Sequence, residues 1–291
     1  MTSHGTPVTK ARALRALFRG DRVIRAVGAH DAMTARLVGA AGFETIWASS
    51  LELSASHAVP DAGLLTMTQY LDAAEEMDAA TSVPIIADCD TGFGGPLNVE
   101  HLVRWYERRG IAAVCIEDKN FPKMNSFALV EHRLLPTALF VDKIRSAKDV
   151  QRDPDFMVIA RTEAFIAGMG LQEALDRGHA YAEAGADAVL VHSRMSKPDE
   201  VLEFAAAWDG GVPLVAVPTT YHGVHERELF DAGYRLVIYA NQVIRAQVKA
   251  VASMLELLAR EGMAGAVEPE IVPIRRLFDL QGMQAASGTP L

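Results

Sequence analysis

Arg109-Gly110-Ile111-Ala112-Ala113-Val114-Cys115-Ile116-Glu117-Asp118-Lys119 contains the repeating unit of the fold: a helix ending at glycine, an apolar run, then an abrupt change to charge. Ile111 to Ile116 shows no polar alternation, so it reads as a strand buried on both faces, as in a parallel sheet covered by helices. Gly110 suits the left-handed position that ends a helix before the chain turns. Acids at the carboxyl end of such a strand stand where parallel α/β folds build active sites. Taken alone, Glu117-Asp118 is equally consistent with a cap on a following helix.

The same device recurs at Ala41-Gly42, Ala184-Gly185 and Ala232-Gly233. Short β-branched runs stand at 22–27, 44–49, 84–88, 112–117, 156–161, 187–192, 213–218 and 235–240, alternating with amphipathic helical segments such as Leu171 to Ala184. In that helix Leu171, Ala174, Leu175, Gly178 and Ala182 form the expected inward face, with charge opposite. Such alternation predicts an α/β fold, a closed (β/α)8 TIM-type barrel. A doubly wound open sheet is the alternative, but no Gly-x-Gly-x-x-Gly turn follows the first strand, and Gly92-Phe93-Gly94-Gly95 has the wrong spacing. Beyond the barrel, the pattern predicts a long helix over 242–260, a linker over 262–269 and a second helix over 271–281. The chain thus reads as one domain, 1–291, with a helical extension at 242–281 whose surplus apolar surface suits another subunit or the barrel bottom. The first and last ten residues read as loose ends.

With 50% hydrophobic and 22% charged residues, the 291-residue chain has the composition of a soluble globular protein. A formal charge of -9 and the lack of a long basic run argue against a nucleic-acid partner. No stretch is long and apolar enough for a membrane span, and Met1 to Thr9 lacks a signal-peptide core. Cys89 and Cys115 sit inside apolar runs without metal-type spacing, which reads as core thiols in a cytoplasmic protein.

In a barrel, the strand ends converge on one rim. Trp47, Ser49 and Ser50 follow the second run, with Asp61 in the next loop; the third ends in Asp88 and Asp90, the fourth in Glu117, the fifth in Arg161 with Glu163, the sixth in His192, and the eighth in Asn241. Alternation along Asp88-Cys89-Asp90 puts both acids on one face. Asp61, Asp88, Asp90 and Glu117 aimed at one point repel unless a cation lies between them. Oxygen-only ligands suit Mg2+ or Mn2+ rather than zinc. Plainer readings stand beside this one: Arg161 can simply pair with Glu163, and His192 can be a satisfied core histidine.

Asp88-Cys89-Asp90-Thr91-Gly92-Phe93-Gly94, Glu52-Leu53-Ser54-Ala55-Ser56 leading to Asp61, and Ala160-Arg161-Thr162-Glu163-Ala164-Phe165-Ile166-Ala167-Gly168 resemble the isocitrate lyase/phosphoenolpyruvate mutase superfamily over nearly the whole chain. Glu117-Asp118-Lys119, five residues, then Asn125-Ser126 is the pattern associated with its phosphoenolpyruvate mutases. The Lys-Lys-Cys-Gly-His-type loop of the carbon-carbon lyases is missing, which disfavours lyase activity. The resemblance implies Mg2+, or Mn2+ in its place, near Asp88, with Asp61, Asp90 and Glu117 contributing directly or through water. It implies that Arg161 and His192 grip a phosphoryl group, that Lys123, Asn125 and Ser126 lie on a loop closing over it, and that Trp47, Ser49, Ser50 and Leu51 bind the substrate carboxylate end. Phosphonopyruvate hydrolases share most of these residues but typically carry Thr where this chain has Asn125. A second departure is Trp47-Ala48-Ser49-Ser50, where the usual run is Trp-Gly-Ser-Gly. The substrate implied is phosphoenolpyruvate or phosphonopyruvate, and the assembly implied is a homo-oligomer, dimer or tetramer, with exchanged C-terminal helices.

Overall fold

All eight apolar runs form strands: β1 (Ile24–Ala29), β2 (Thr45–Ala48), β3 (Ile85–Asp88), β4 (Ala113–Glu117), β5 (Met157–Thr162), β6 (Ala188–Val191), β7 (Leu214–Ala216) and β8 (Tyr234–Tyr239). Each pairs in parallel with the next, and β8 pairs with β1, so the sheet is a closed barrel and the open-sheet alternative falls away. The computed structural model describes residues 9–283, in two compact units, Met1–Asn241 and Gln242–Leu291.

In the first unit, helices α1 (Lys10–Phe18), α2 (Ala32–Ala40), α3 (Ser50–Ser56), α4 (Met67–Ala80), α5 (Pro96–Arg108), α6 (Thr137–Val150), α7 (Gly170–Glu183), α8 (Asp199–Ala207) and α9 (Glu226–Asp231) precede or follow the strands. The barrel interior is solid. Ala26, Trp47, Ile86, Cys115, Ile159, Leu190, Val215 and Leu236 form one buried cluster, which also holds Leu14 and Phe18 of α1. Arg15 donates to the carbonyls of Asp155 and Phe156 at the start of β5, so α1 closes the amino-terminal end of the strands. Function is therefore left to the opposite rim, as packed barrels require. Gly110 and Gly185 adopt φ of 80° and 104°, the left-handed conformation that glycine reaches without a Cβ penalty.

Two readings of side-chain direction change. Arg177 and Tyr181 of α7 are buried, while Leu171 and Ala182, expected inside, are only half-buried. The cause is Asp118, whose direction was open in the sequence. One position beyond β4 it points to the outer face of the barrel, opposite to Glu117, as strand alternation dictates. Its Oδ2 accepts from Tyr181 Oη at 2.7 Å and Arg177 at 3.2 Å, and its Oδ1 accepts from the Glu163 amide at 2.9 Å. The backbone of Asp118 also receives the Leu135 amide at 2.8 Å and donates to the Arg161 carbonyl at 3.1 Å. This cluster ties the loop after β4 to β5 and α7. A second revision concerns Asp88-Cys89-Asp90. The strand stops at Asp88, and Asp90 turns through a left-handed φ of 49° instead of continuing the alternation.

The second unit has helix α10 (Gln242–Glu261), two short turns at Ala264–Ala266 and Glu268–Glu270, and helix α11 (Ile274–Gln281). The last helix starts three residues later than the expected 271 because Pro273 is extended, at ψ 144°, and proline disfavours helical backbone in the residue before it. Thr9 and Lys10, expected to be loose, cap and open α1, and Gly282 closes α11. The other expected loose residues at the two ends lie almost wholly outside the described range. Among the described residues no helix is long and apolar enough to cross a membrane.

Burial pushes the Asp118 carboxyl up to about 6, against its bonds from Tyr181, the Glu163 amide and Arg177. A carboxyl whose folded pKa exceeds its unfolded value contributes stability fully below the unfolded pKa, near 4, and loses it as pH rises through the folded one. Asp118→Asn should flatten the stability profile between about pH 4 and 6, measured by urea unfolding. It should also lower stability at pH 7 by about 3 kcal/mol, because Arg177 is left without its buried partner.

Candidate active site

Trp47, Ser49, Ser50, Leu51, Asp61, Asp88, Lys123, Asn125, Ser126, Arg161 and His192 line one cavity of about 40 Å³ at the carboxyl ends of the strands. Phe127, Val217, Thr219, Ala240 and Asn241 complete its wall. Asp90 and Glu117 are not in the lining but are buried beside it through their contacts with Lys123, Lys119 and Arg161.

The roof of the cavity is the loop between β4 and α6. Lys119 and Leu134 form an antiparallel bridge, and the Asn120 amide donates to the Arg133 carbonyl at 3.0 Å, pinching the loop at its base. Its tip is fastened to Asp61. Asn125 Nδ2 donates to Asp61 Oδ2 at 2.7 Å, its backbone N–H donates to the Asp61 carbonyl at 3.0 Å, and its Oδ1 accepts the Phe127 amide at 2.9 Å. An asparagine serves here because it carries a donor and an acceptor on one planar group. Lys123 reaches Asp61 Oδ1 at 2.6 Å and Asp90 Oδ1 at 3.0 Å. Burial works against its charge, but Asp90, Asp61, Glu117 and Asp88 outweigh that and hold its pKa well above the ordinary lysine value.

A second cluster, under the other side of the roof, centres on Ser126. Its hydroxyl donates to Glu163 Oε2 at 2.6 Å and accepts from Lys119 Nζ at 2.5 Å and Arg161 at 3.2 Å, using its one donor and both lone pairs. Arg161 also lies 2.5 Å from Glu163 Oε1 and 3.2 Å from Glu117 Oε2. The Arg161–Glu163 ion pair is therefore real, and Arg161 lines the cavity as well. His192 Nδ1 lies 2.8 Å from both Glu163 Oε1 and an Arg161 nitrogen, so its tautomer decides which bond forms. Burial and then the Arg161 charge lower its pKa, which keeps the ring neutral at pH 7. Phe127 packs edge-on against it at 5.5 Å.

Lys119, Glu163 and Phe127 were not among the expected site residues. Glu163 had appeared only as a partner for Arg161, and Lys119 had only its place in a charged run to mark it. His30, which no local sequence pattern marks, is buried at the end of β1, with Nδ1 2.8 Å from Glu52 Oε2.

Ser50 stands where the superfamily's usual run has glycine. It begins α3 with no left-handed φ, so the position does not demand glycine. Its hydroxyl donates to Asp88 Oδ2 at 2.8 Å and lies 3.4 Å from Lys123 Nζ.

Asp61, Asp88, Asp90, Glu117 and Glu163 contact or face Lys119, Lys123 and Arg161, so the fully ionised cluster is two positive charges short of neutral. Burial raises the Asp88 pKa despite Lys123 and Arg161, and it lifts Asp90 to about 7 despite Lys123. Asp61 Oδ1 and Asp90 Oδ1 touch the Lys123 ammonium without hydrogen-bond geometry, and Glu117 Oε1 is likewise buried without a hydrogen bond. A deficit of two positive charges, with Glu117 Oε1 buried and without a hydrogen bond, fits a hard divalent cation. Among the described residues no group of three or more His, Cys, Asp or Glu is set to hold a metal, and Asp61 and Asp90 are paired with Lys123.

This fold and site define a (β/α)8-barrel enzyme whose small cavity, lined by Lys123 and Arg161, lies under the loop between β4 and α6. A family profile described as Phosphoenolpyruvate phosphomutase matches residues 14–259. A phosphonopyruvate hydrolase of Variovorax sp. (strain Pal2) is 44% identical over 277 residues, spanning 94% of this chain and 96% of that protein. The crystal structure of a phosphoenolpyruvate phosphomutase from Streptomyces platensis subsp. rosaceus superposes with a TM-score of 0.95 at 51% identity, covering 96% and 97% of the two chains. A phosphonopyruvate hydrolase crystallised with oxalate and Mg2+ superposes with a TM-score of 0.91 at 43% identity, covering 96% and 97%. The chain belongs to the phosphoenolpyruvate phosphomutase family, within the superfamily that also includes isocitrate lyases.

Ser126→Ala should leave Glu163, Lys119 and Arg161 each one partner short in a buried setting, at a cost of about 1–3 kcal/mol. Thermal unfolding should shift down accordingly, and limited proteolysis within 120–133 should accelerate. An unchanged cleavage rate would remove Ser126 from the fastening of the loop.

Proposed function

We propose that this chain interconverts phosphoenolpyruvate and 3-phosphonopyruvate, moving a phosphoryl group between the enol oxygen and C3 of pyruvate. One observation carries the reading: Asn125 fastens the closed roof to Asp61 by a side-chain and a backbone bond over a small cavity. Phosphoryl transfer passes through a loose, metaphosphate-like arrangement, so catalysis rests on positioning and charge stabilisation rather than covalent help. Water captures such a species readily, and rearrangement requires its exclusion until the enolate presents its other nucleophilic atom. A threonine at 125 has one hydroxyl in place of the separate donor and acceptor of the amide, and would hold the roof less fully.

The residues divide the work by charge. Arg161 presents a planar fork to phosphoryl oxygens, neutral His192 can donate to them through its outer ring nitrogen, and Lys123 adds a point charge from above. Trp47, Ser49, Ser50 and Leu51 bound the end of the cavity that suits the pyruvate carboxylate. Asp88 with Asp61, Asp90 and Glu117, directly or through water, would hold Mg2+, with Mn2+ as a substitute. Bound among these acids, the cation supplies positive charge that stabilises the enolate as the phosphoryl group leaves. The Ser50 hydroxyl beside Asp88 narrows this end of the cavity and bears on substrate preference.

Phosphonopyruvate hydrolysis is the second reading, favoured by the 44% identity to the Variovorax enzyme. Phosphorus NMR of phosphonopyruvate with the protein and Mg2+ separates the two: mutase action yields a phosphoenolpyruvate signal, whereas inorganic phosphate alone sinks the proposal. Asn125→Thr should raise the phosphate-to-phosphoenolpyruvate ratio several-fold, and an unchanged ratio would detach Asn125 from water exclusion.

For the second unit, we propose a helical arm exchanged between subunits of a cytoplasmic dimer or tetramer. Val248, Val251, Leu255 and Leu258 form an exposed apolar stripe on α10 at helical spacing, as an interface requires. Multi-angle light scattering should give a mass of at least two chains, and a monomer at micromolar concentration would refute the arm.

A further inference from the structure

The turn that follows β3 is strained and needs holding. Asp90, Gly92, Phe93 and Gly94 have φ of 49°, 82°, 57° and 145°, and Asp90 and Phe93 adopt the left-handed region without being glycine. Such backbone persists only where its surroundings over-determine it. Some of the restraint is local. The Gly92 amide donates to the Cys89 carbonyl at 2.8 Å, and the Glu117 amide donates to the Asp90 carbonyl at 2.7 Å.

The remaining hold comes from far along the chain. Lys143, on α6, sends its ammonium to the Thr91 carbonyl at 2.8 Å. The residue is 4% exposed, among the buried Phe140, Val141, Ile144 and Ala147 of its own helix. Among the described residues it makes no ion pair, and burial alone pulls its pKa down to about 8. A buried ammonium answered by a single carbonyl is a poor way to stabilise a fold, and an apolar side chain of similar length would suit the surroundings better. What the charge provides is a strong, directional bond to one backbone oxygen. That oxygen belongs to the residue next to Asp90.

We infer that Lys143 is a positioning residue: by clamping the Thr91 carbonyl it fixes the left-handed turn that aims Asp90, together with Asp88, into the site. The inference rests on the reading that these acids hold a divalent cation. Without the clamp, Asp90 can relax toward ordinary backbone angles, and its carboxylate leaves its place beside Lys123. Supporting groups of this kind, one layer out from a metal's ligands, usually affect affinity by about 10- to 100-fold.

The test is Mn2+ binding to the full chain by electron paramagnetic resonance, paired with metal-free thermal unfolding, for the wild type, Lys143→Met and Lys143→Arg. Lys143→Met should unfold at the wild-type temperature or above it, because a desolvated charge is gone, yet bind Mn2+ about 10- to 100-fold more weakly. Lys143→Arg, which keeps a charged donor, should recover most of that affinity. Wild-type affinity in Lys143→Met overturns the inference. So does a loss that accompanies a lower unfolding temperature, or one that Lys143→Arg leaves unrecovered, since either marks a packing role. If the wild type itself binds no Mn2+, the cation reading fails and this inference fails with it, an outcome distinct from a variant that binds as the wild type does.

Discussion

Charge buried inside this protein must be answered by opposite charge, and the rim of the barrel is organised around that requirement. Five carboxylates end up under one roof because strand ends converge. Separated from water, they repel one another at a cost that neither the barrel nor its covering helices can absorb. Lys123, Lys119 and Arg161 meet that need, and two of the three arrive on the segment between β4 and α6. The segment that roofs the cavity therefore also supplies most of the charge that answers the acids. The same deficit of positive charge that draws Lys123 inward makes the rim receptive to a divalent cation.

The two strapped sides of the roof work by different physics. On the Asp61 side the hold is electrostatic and directional, through Asn125 and Lys123. On the Glu163 side a single hydroxyl, that of Ser126, joins a lysine, an arginine and a glutamate with no capacity left over. Beneath both, Asp118 fastens the root of the segment to α7, so the roof stands on a fixed base. The roof is thus held by polar contacts at its tip and by backbone pairing at its base.

Family membership narrows the chemistry without choosing between its two close forms. Relatives of both kinds align over nearly the whole chain. In the proposed reading, the choice lies at the fastening of Asn125 to Asp61, a few atoms out of the whole site.

What the sequence by itself determined was the set of local, periodic features. Eight apolar runs, the glycines that end the helices, and the polar residues finishing each run were enough for the closed barrel and for most of the rim, because strand burial and helix caps are written in neighbouring residues. Asp88, Glu117, Arg161 and His192 were legible for the same reason. The tertiary structure alone decided which way Asp118 points, that Asp90 leaves the strand in a left-handed turn, and that Lys119 and Glu163 belong to the site. It alone matched Ser126 with Glu163, Asn125 with Asp61, and Lys143 with Thr91, pairs separated by 37, 64 and 52 positions. No local pattern encodes such partners. They are chosen when burial removes water and leaves each charged or polar group to find the one neighbour that can replace it.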